Sequence, residues 1–169
     1  MNLDLILLDL DETLLPTDSL RDARHSHTSL ELLDVPGFDA IRLHEGVAAS
    51  LDSLATLTRV GLVTSSPRWY VDQILAAHLP NFVFAVQVTY EDVGHIKPHP
   101  EPLEFALGMT SVDPQRALYV GDADVDFDAS TAAGVQFIGA GWADRPTFPA
   151  SAPRVRTPHD LVELIWSRA

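Results

Sequence analysis

The sequence predicts a three-layer α/β domain built on a mainly parallel, doubly wound sheet. Short apolar runs, typical of strands buried on both faces, occur at residues 5–10, 60–64, 82–88, 117–121 and 135–139. The segments between these runs carry apolar residues at helical spacing. Because strands and helices alternate, we expect right-handed βαβ units with helices on both faces of the sheet.

Each predicted helix follows a predicted strand and presents one apolar stripe. The stripes are Leu51/Leu54/Leu57, Tyr70/Ile74/Leu75, Leu103/Leu107 and Leu161/Leu164/Ile165. The last helix is expected to begin after an N-cap at Thr157, with Pro158 in its first turn, since proline suits that position.

Two segments interrupt the alternation. Residues 14–45 separate the first strand from the next helix, which is expected to begin near Gly46, and Pro36-Gly37 leaves room for at most two short helices. A connection of this length inside a compact domain is usually functional or flexible. Residues 141–156 contain three prolines and are expected to form an extended surface loop.

Composition excludes several classes of protein. The 169 residues include 24 acidic and 11 basic side chains, for a net charge of −13. This balance argues against nucleic acid and anionic membranes as partners, because phosphates would be repelled. The absence of cysteine excludes disulfides, thiol catalysis and Cys-ligated metals. With no apolar run of membrane-spanning length and no basic region at the amino terminus, we expect a soluble, cytoplasmic domain.

Acidic residues follow two of the predicted strands. Asp9 and Asp11 end the first, and Asp122 directly follows the fourth. Alternative interpretations are an acidic turn at the first and an acidic helix N-terminus, favoured by the macrodipole, at the second. A calcium loop is a poor match at the second, because Phe127 and Ala133 stand where its glycine and glutamate belong.

The two acidic strand ends are expected to meet. Ligands of doubly wound sheets bind beyond the carboxyl ends of the strands, where the strand order reverses. If the first and fourth strands flank that point, Asp9, Asp11 and Asp122 converge and require a cation. Oxygen ligands without cysteine or a histidine pair favour a hard ion, and Mg²⁺ is the expected cofactor.

With these residues in view, the sequence resembles the haloacid dehalogenase superfamily of phosphohydrolases. Four motifs occur in the family's order, each at a predicted strand end or before a predicted helix: Asp9-x-Asp11-x-Thr13, the segment 61–66 with Thr64, Lys97-Pro98, and Gly121-Asp122-x-x-x-Asp126. The resemblance extends over most of the chain, from residue 4 to about residue 142.

The resemblance implies catalytic roles. Asp9 would be the nucleophile that forms an aspartyl-phosphate, and Asp11 the general acid and base. Thr64 and the amide of Ser65 would bind phosphoryl oxygens, and Lys97 would neutralise charge that develops on them. An alternative role for Thr64 is to cap the helix expected near Pro67.

The resemblance also implies a metal site. Asp9, the main-chain carbonyl of Asp11, and Asp122 would hold Mg²⁺, and Asp126 would complete the shell directly or through water. Thr13 is expected to brace the loop through a backbone hydrogen bond. Ala123 departs from the Ser or Thr that relatives often carry, so one hydrogen bond of the family is expected to be missing.

The implied architecture is a single catalytic domain over residues 1–169 with strand order 5-4-1-2-3. Residues 14–45 are too few for the helical cap that covers small substrates in relatives, so we expect a flap or reduced cap over an open site. Water would then be excluded by a bulky phosphorylated substrate or by a partner subunit of a homo-oligomer.

The sequence therefore predicts a Mg²⁺-dependent phosphomonoester hydrolase. The alternative from another class is a catalytically silent module of the same fold that binds a phosphorylated ligand or a protein. Dehalogenation is disfavoured because it does not need the acid/base group Asp11. Mutase activity ranks lower because it needs a closed cap.

Overall fold

The computed structural model describes residues 3–25, 35 and 37–167. Within them, six strands form one sheet in the order β3-β2-β1-β4-β5-β6, and every pairing is parallel. The strands are β1 Leu5–Leu8, β2 Arg59–Val63, β3 Gln87–Val88, β4 Ala117–Gly121, β5 Gln136–Ala140 and β6 Arg154–Val155. The predicted α/β class is confirmed, as is the predicted order of the first five strands.

The sixth strand is a feature that the sequence did not predict. β6 lies in the segment 141–156, where only an extended loop was expected, and it adds two residues to the edge of β5. Two backbone hydrogen bonds align it: Gly141 N–H donates to Val155 O at 2.9 Å, and Gly139 N–H donates to Pro153 O at 2.8 Å. A strand of two residues carries too little periodicity to be recognised in a sequence.

The third strand is shorter than predicted. Only the last two residues of the apolar run 82–88 belong to β3. Phe84 is buried while Val83 is 87% exposed, although Ala85 N–H still donates to Val60 O at 2.7 Å. β3 is an edge strand, so regular pairing is available from β2 alone, and the apolar run predicted a longer strand than this edge supports.

Helices cover both faces of the sheet. They are α1 Arg21–His25, α2 Val47–Leu57, α3 Arg68–His78, α4 Glu101–Thr110, α5 Asp124–Ala132 and α6 Pro158–Trp166. Ile6 and Leu8 of β1 pack in one core with α2, α3 and α6, whereas Leu5 and Leu7 pack in a second core with α4 and α5. Across the described ranges, no helix combines the length and apolar character needed to cross a bilayer.

The last helix begins where the sequence places it. Thr157 Oγ1 accepts a hydrogen bond from Asp160 N–H at 3.1 Å, and the Asp160 carboxylate accepts from Thr157 N–H at 3.0 Å. This reciprocal capping box satisfies two backbone donors that the helix itself leaves without partners. The predicted N-cap at Thr157 is confirmed.

The long connection after β1 is only partly described. It contains a 3-10 turn at Asp18–Leu20, α1, and a second 3-10 turn at Phe38–Ala40. Leu20 and Phe38 are buried in the core that includes α2, so both described parts are anchored to the domain. Residues 26–34 and 36 lie outside the described residues, so the flap over residues 14–45 stays a prediction.

Candidate active site

Three predicted site residues lie side by side at the carboxyl edge of the sheet. Asp9, Thr64 and Asp122 come directly after β1, β2 and β4. The strand order reverses between β1 and β4, which is the position where doubly wound sheets bind ligands. All three residues line a cavity of about 1070 Å³.

Three buried carboxylates form an acidic cluster at this edge. One oxygen from each of Asp9, Asp122 and Asp126 lies within 4.8 Å of the others. Gly121 makes the arrangement possible, because a Cβ atom at this position would collide with the Asp126 carboxylate. The glycine that ends β4 therefore provides the space that Asp126 occupies.

Lys97 neutralises part of the acidic cluster. Its buried ammonium donates to Asp9 Oδ1 at 2.6 Å, to Asp126 Oδ1 at 2.6 Å and to the Tyr119 hydroxyl at 2.8 Å. Burial opposes the charge, but the carboxylates of Asp126 and Asp9 outweigh it and hold the pKa of Lys97 well above its usual range. Lys97 is the only lysine in the sequence.

The acidic cluster contains more negative charge than Lys97 balances. Burial raises the pKa of Asp9 well above its usual range, with Lys97 opposing that shift. Burial, with the nearby Asp126 carboxylate, raises the pKa of Asp122 to about 7. Closely spaced carboxylate oxygens with raised pKa values are a donor set that suits a hard divalent cation.

Asp126 differs from the other two members of the acidic cluster. Its Oδ1 atom accepts from Lys97 and Tyr119, and its Oδ2 atom accepts from the Ala123 amide at 3.1 Å. Both carboxylate oxygens therefore already bind protein donors. This geometry favours a role in orienting Lys97, with any contact to a metal made through water.

Thr13 acts on Asp122 rather than on the backbone. Its hydroxyl donates to Asp122 Oδ1 at 3.0 Å, so the expected bracing through a backbone hydrogen bond is wrong. The Thr13 carbonyl in turn accepts from the Trp142 indole N–H at 2.8 Å. Thr13 thus orients the Asp122 carboxylate of the acidic cluster, and Trp142, in the loop after β5, holds Thr13 in place.

Asp11 lies in a second environment, apart from the acidic cluster. Its carboxylate accepts from Ser66 Oγ at 2.5 Å, Thr17 Oγ1 at 2.7 Å and Tyr70 OH at 2.8 Å, and it pairs with the Arg24 guanidinium at 2.6 Å. Burial opposes ionisation, yet Arg24 and the three hydroxyls keep the pKa of Asp11 below its usual value. We call this group of donors the Asp11 cradle.

Thr64 and Ser65 form the turn that leads from β2 to α3. Thr64 Oγ1 accepts from Ser66 N–H at 3.1 Å, which stabilises the turn before the helix. The residue preceding α3 is Pro67, and the first N–H of the helix, that of Arg68, donates to the Glu91 carboxylate at 2.8 Å. The alternative role of Thr64 as the N-cap of α3 is therefore wrong. Both Thr64 and Ser65 line the cavity.

Sequence reasoning missed the donors that surround the two catalytic candidates Asp9 and Asp11. These are Thr17, Arg24, Ser66, Tyr70 and Tyr119. A usable signal existed for the two tyrosines, which lie in otherwise apolar stripes, because a buried phenol needs a hydrogen-bond partner. No comparable signal exists for Arg24, because its contact with Asp11 depends on how the long connection folds back over the site.

The fold and site define a doubly wound α/β protein with a carboxylate–lysine centre at its switch point. A model of the haloacid dehalogenase-like hydrolase family matches residues 34–140. Because the match covers more than half of the chain, the chain belongs to this family. It includes Thr64, Lys97, Asp122 and Asp126, whereas Asp9 and Asp11 precede the matched residues.

Curated relatives match one half of the chain. The pyrophosphatase PpaX of Bacillus thuringiensis and that of Bacillus cereus are each 39% identical over 84 residues. The aligned region covers 50% of this chain and 39% of each relative. The chain thus spans well under two thirds of the length of these relatives.

Solved structures share the complete fold. A predicted phosphoglycolate phosphatase from Haemophilus somnus superposes with a TM-score of 0.77 at 20% identity, covering 97% of this chain and 98% of that one. CbbY from Rhodobacter sphaeroides, solved in complex with phosphate, gives 0.72 at 20% identity, covering 94% and 96%. At these identities the likeness concerns the fold.

Proposed function

We propose that this protein is a Mg²⁺-dependent phosphomonoester hydrolase that acts through an aspartyl-phosphate on Asp9. The observation that carries the proposal is the contact between Lys97 Nζ and Asp9 Oδ1, which is 2.6 Å long and buried, and both residues line the cavity. An anionic nucleophile held beside a fixed cation suits attack on a phosphoryl group, whose charge must be neutralised as it reacts.

The acidic cluster is the proposed metal site. Asp9 and Asp122 would hold Mg²⁺ directly with the main-chain carbonyl of Asp11, and Asp126 would support the site through Lys97 or through water. Bound there, Mg²⁺ supplies charge neutralisation between the carboxylates and the phosphate dianion. The raised pKa values of Asp9 and Asp122 support this assignment, since both groups gain from a nearby cation.

In the first proposed step, a carboxylate oxygen of Asp9 attacks phosphorus, and the bond from phosphorus to the leaving oxygen breaks. Thr64, the Ser65 amide and Lys97 stabilise the equatorial oxygens. The leaving oxygen takes its proton from the carboxyl group of Asp11. Asp9 then carries the phosphoryl group as a mixed anhydride.

In the second step, water attacks phosphorus of the aspartyl-phosphate, and Asp11 takes a proton from that water. The bond between phosphorus and the Asp9 oxygen breaks, releasing inorganic phosphate and the free carboxylate. The Asp11 cradle holds Asp11 ionised, which is the form needed for this base step. For the acid step Asp11 has to be protonated, which requires it to lose some of the contacts of the Asp11 cradle. Arg24 is the donor that lowers the pKa of Asp11 most.

The segment that supplies Arg24 is the proposed flap. Residues 14–45 connect the segment after β1, which contains Asp11, to α2. Within this connection, α1 places the Arg24 side chain against Asp11. A flap that carries a donor to the general acid couples covering of the site to protonation of Asp11. We retain residues 1–169 as one catalytic domain with this reduced cap.

Phosphate esters that carry a second anionic group are the proposed substrate class. Arg145 lines the cavity and is suited to bind a second anionic group on the substrate. Arg21 and Arg24 also line it, but their guanidinium groups are paired with Asp18 and Asp11. Substrates should therefore be screened with pyrophosphate, phosphoglycolate and a sugar bisphosphate, which correspond to the names or ligands of the similar proteins.

Phosphate release from p-nitrophenyl phosphate, with Mg²⁺ and with EDTA, tests the proposal. We expect Mg²⁺-dependent turnover in the wild type and a loss of at least about 10³-fold in Asp9→Asn, because the amide is not a nucleophile. Asp128→Asn is the matched control, since Asp128 is an exposed acid on α5 outside the cavity.

Acid quenching followed by peptide mass analysis should locate the trapped phosphoryl group on the peptide that contains Asp9. Turnover that survives in Asp9→Asn would overturn the nucleophile assignment. A wild type that is inactive with Mg²⁺ across the whole screen, yet binds phosphate in the cavity, would favour the silent binding module instead.

A further inference from the structure

A second group of metal-ligating side chains lies outside the cavity, on the loop that carries Lys97. His95 Nδ1 lies 2.8 Å from Glu101 Oε2, and His99 Nδ1 lies 3.9 Å from the same oxygen. One ligand atom from each residue falls within 4.8 Å of the others. The imidazole rings stack with their centroids 4.6 Å apart and a 28° interplanar angle.

The backbone holds these ligands in place. Gly94 N–H donates to Glu101 Oε1 at 2.8 Å, which leaves Oε2 facing the two rings. Glu101 N–H donates to His99 Nδ1 at 3.2 Å and orients that ring at the start of α4. The hydrogen bond to Oε1 orients the carboxylate and leaves its second oxygen directed at the rings. The hydrogen bond to His99 uses the Nδ1 lone pair, so an ion bound at that nitrogen would replace it.

The donor set differs from that of the acidic cluster. Two imidazole nitrogens and one carboxylate oxygen favour Zn²⁺ and related transition ions, whereas three carboxylates favour Mg²⁺. The exposed contact between His95 and Glu101 contributes little to stability, so an ion that replaces it would cost the fold little. All three side chains reach solvent, so an ion has direct access.

The three side chains lie next to the active-site residue Lys97 in the sequence. His95 and His99 stand two residues before and two residues after Lys97, and Glu101 begins α4. An ion shared by the three would fasten both ends of the Lys97 loop to one helix. We propose that His95, His99 and Glu101 form a Zn²⁺ site that clamps the loop holding Lys97 against Asp9 and Asp126.

Titration of Zn²⁺ by calorimetry, in the presence of saturating Mg²⁺, tests the binding claim without relying on enzymatic activity. We expect one Zn²⁺ per wild-type chain and binding at least tenfold weaker in His95→Ala, His99→Ala and Glu101→Gln. Co²⁺ in place of Zn²⁺ should give a visible absorption band that each variant loses. Circular dichroism melts confirm that the variants fold.

His159→Ala is the matched control. His159 is exposed and lies 3.4 Å from Glu163 on α6, and among the described residues no third metal-ligating side chain joins this pair. Zn²⁺ affinity should be unchanged in this variant. Equal affinity in the wild type and the three site variants, or an equal loss in His159→Ala, would overturn the site.

Hydrogen exchange tests the clamp separately. Adding Zn²⁺ should slow amide exchange at residues 94–100 in the wild type and leave it unchanged in His99→Ala. If Zn²⁺ binds with the expected dependence on the variants but exchange in this loop is unaltered, the clamp is wrong. Because neither readout involves phosphate release, these results are independent of the proposed phosphatase activity.

Discussion

Asp9 and Asp11 are separated by one residue, yet their environments act on them in opposite directions. Asp9 is buried among carboxylates with Lys97 as its cation, and burial raises its pKa. Asp11 is surrounded by Arg24 and three hydroxyl donors, and its pKa is lowered. The difference shows that position along the strand brings both carboxylates to the site, while distant parts of the chain decide their chemistry.

The two environments act against the protonation states that the proposed mechanism needs. The nucleophile has to be ionised and the acid protonated, whereas the pKa of Asp9 is raised and that of Asp11 is lowered. A cation at the acidic cluster would correct the first, and release of Asp11 from Arg24 would correct the second. Substitutions around Asp9 and Asp11 should therefore affect activity and stability in different ways.

The largest effect is expected for Lys97→Met. Without the ammonium, Asp9 and Asp126 lose their shared cation, and breaking a buried ion pair costs about 3–5 kcal/mol. We expect turnover of p-nitrophenyl phosphate to fall by at least about 100-fold and the melting temperature to drop. Adding Mg²⁺ should recover part of the stability. A variant as stable and active as the wild type would show that Lys97 does not balance the acidic cluster.

Arg24→Gln should act on Asp11 alone. Removing the guanidinium should raise the pKa of Asp11, so the proton required by the acid step is retained to higher pH. The alkaline limb of the kcat/KM profile should move upward for an alkyl phosphate such as glycerol phosphate. It should stay in place for p-nitrophenyl phosphate, whose leaving group needs little protonation.

Arg21→Gln is the matched control for this change, because Arg21 lies on the same helix and pairs with the exposed Asp18 at 2.8 Å. If both arginine variants move the limb equally, the effect is one of general charge. If neither moves it, Arg24 does not govern the proton on Asp11.

Tyr119→Phe and Tyr70→Phe form a pair with smaller effects. Tyr119 OH accepts from Lys97, and its single proton lies between two acceptors, Val63 O at 3.0 Å and Asp126 Oδ1 at 3.1 Å. Tyr119→Phe should therefore lower kcat about tenfold with little change in KM. Tyr70→Phe removes one donor from the Asp11 cradle and should instead shift the pH profile upward. Identical kinetics in the two variants would contradict the separation of the two environments.

The smallest effect concerns stability against pH. Asp122 has a pKa of about 7 in the folded chain and an ordinary value when unfolded, so the folded state binds the extra proton between about pH 4 and 7. Metal-free protein should therefore lose stability as the pH rises through that window. In EDTA, the melting temperature should fall by at least about 2 °C between pH 5.5 and 8 in the wild type. A melting profile for Asp122→Asn that is as steep as the wild type would assign the effect to another group.

The sequence predicted the framework of the site better than its interior contacts. The apolar runs that end in Asp9 and Asp122 identified the strands and their common edge. Thr17 and Arg24 escaped prediction because they reach Asp11 from the long connection after β1, whose path depends on tertiary packing. Tyr70 and Tyr119 carry the signal of a phenol in an apolar stripe, but that signal does not identify the hydrogen-bond partner, which lies on another element.

The two errors in the sheet have a related cause. β3 and β6 are edge strands of two residues each, and pairing on one side is all that maintains them. Local composition overestimated the first, whose apolar residues continue beyond the paired part. It missed the second, whose residues follow a proline-rich stretch.

The lone lysine gives the site a natural spectroscopic reporter. Lysine labelled with ¹⁵N at Nζ introduces one side-chain signal in the entire protein, and that signal comes from the ammonium between Asp9 and Asp126. Its chemical shift and proton exchange rate can follow metal loading and phosphoryl transfer to Asp9 in real time. No mutation or attached probe is needed, because every other basic side chain that carries a permanent charge is an arginine.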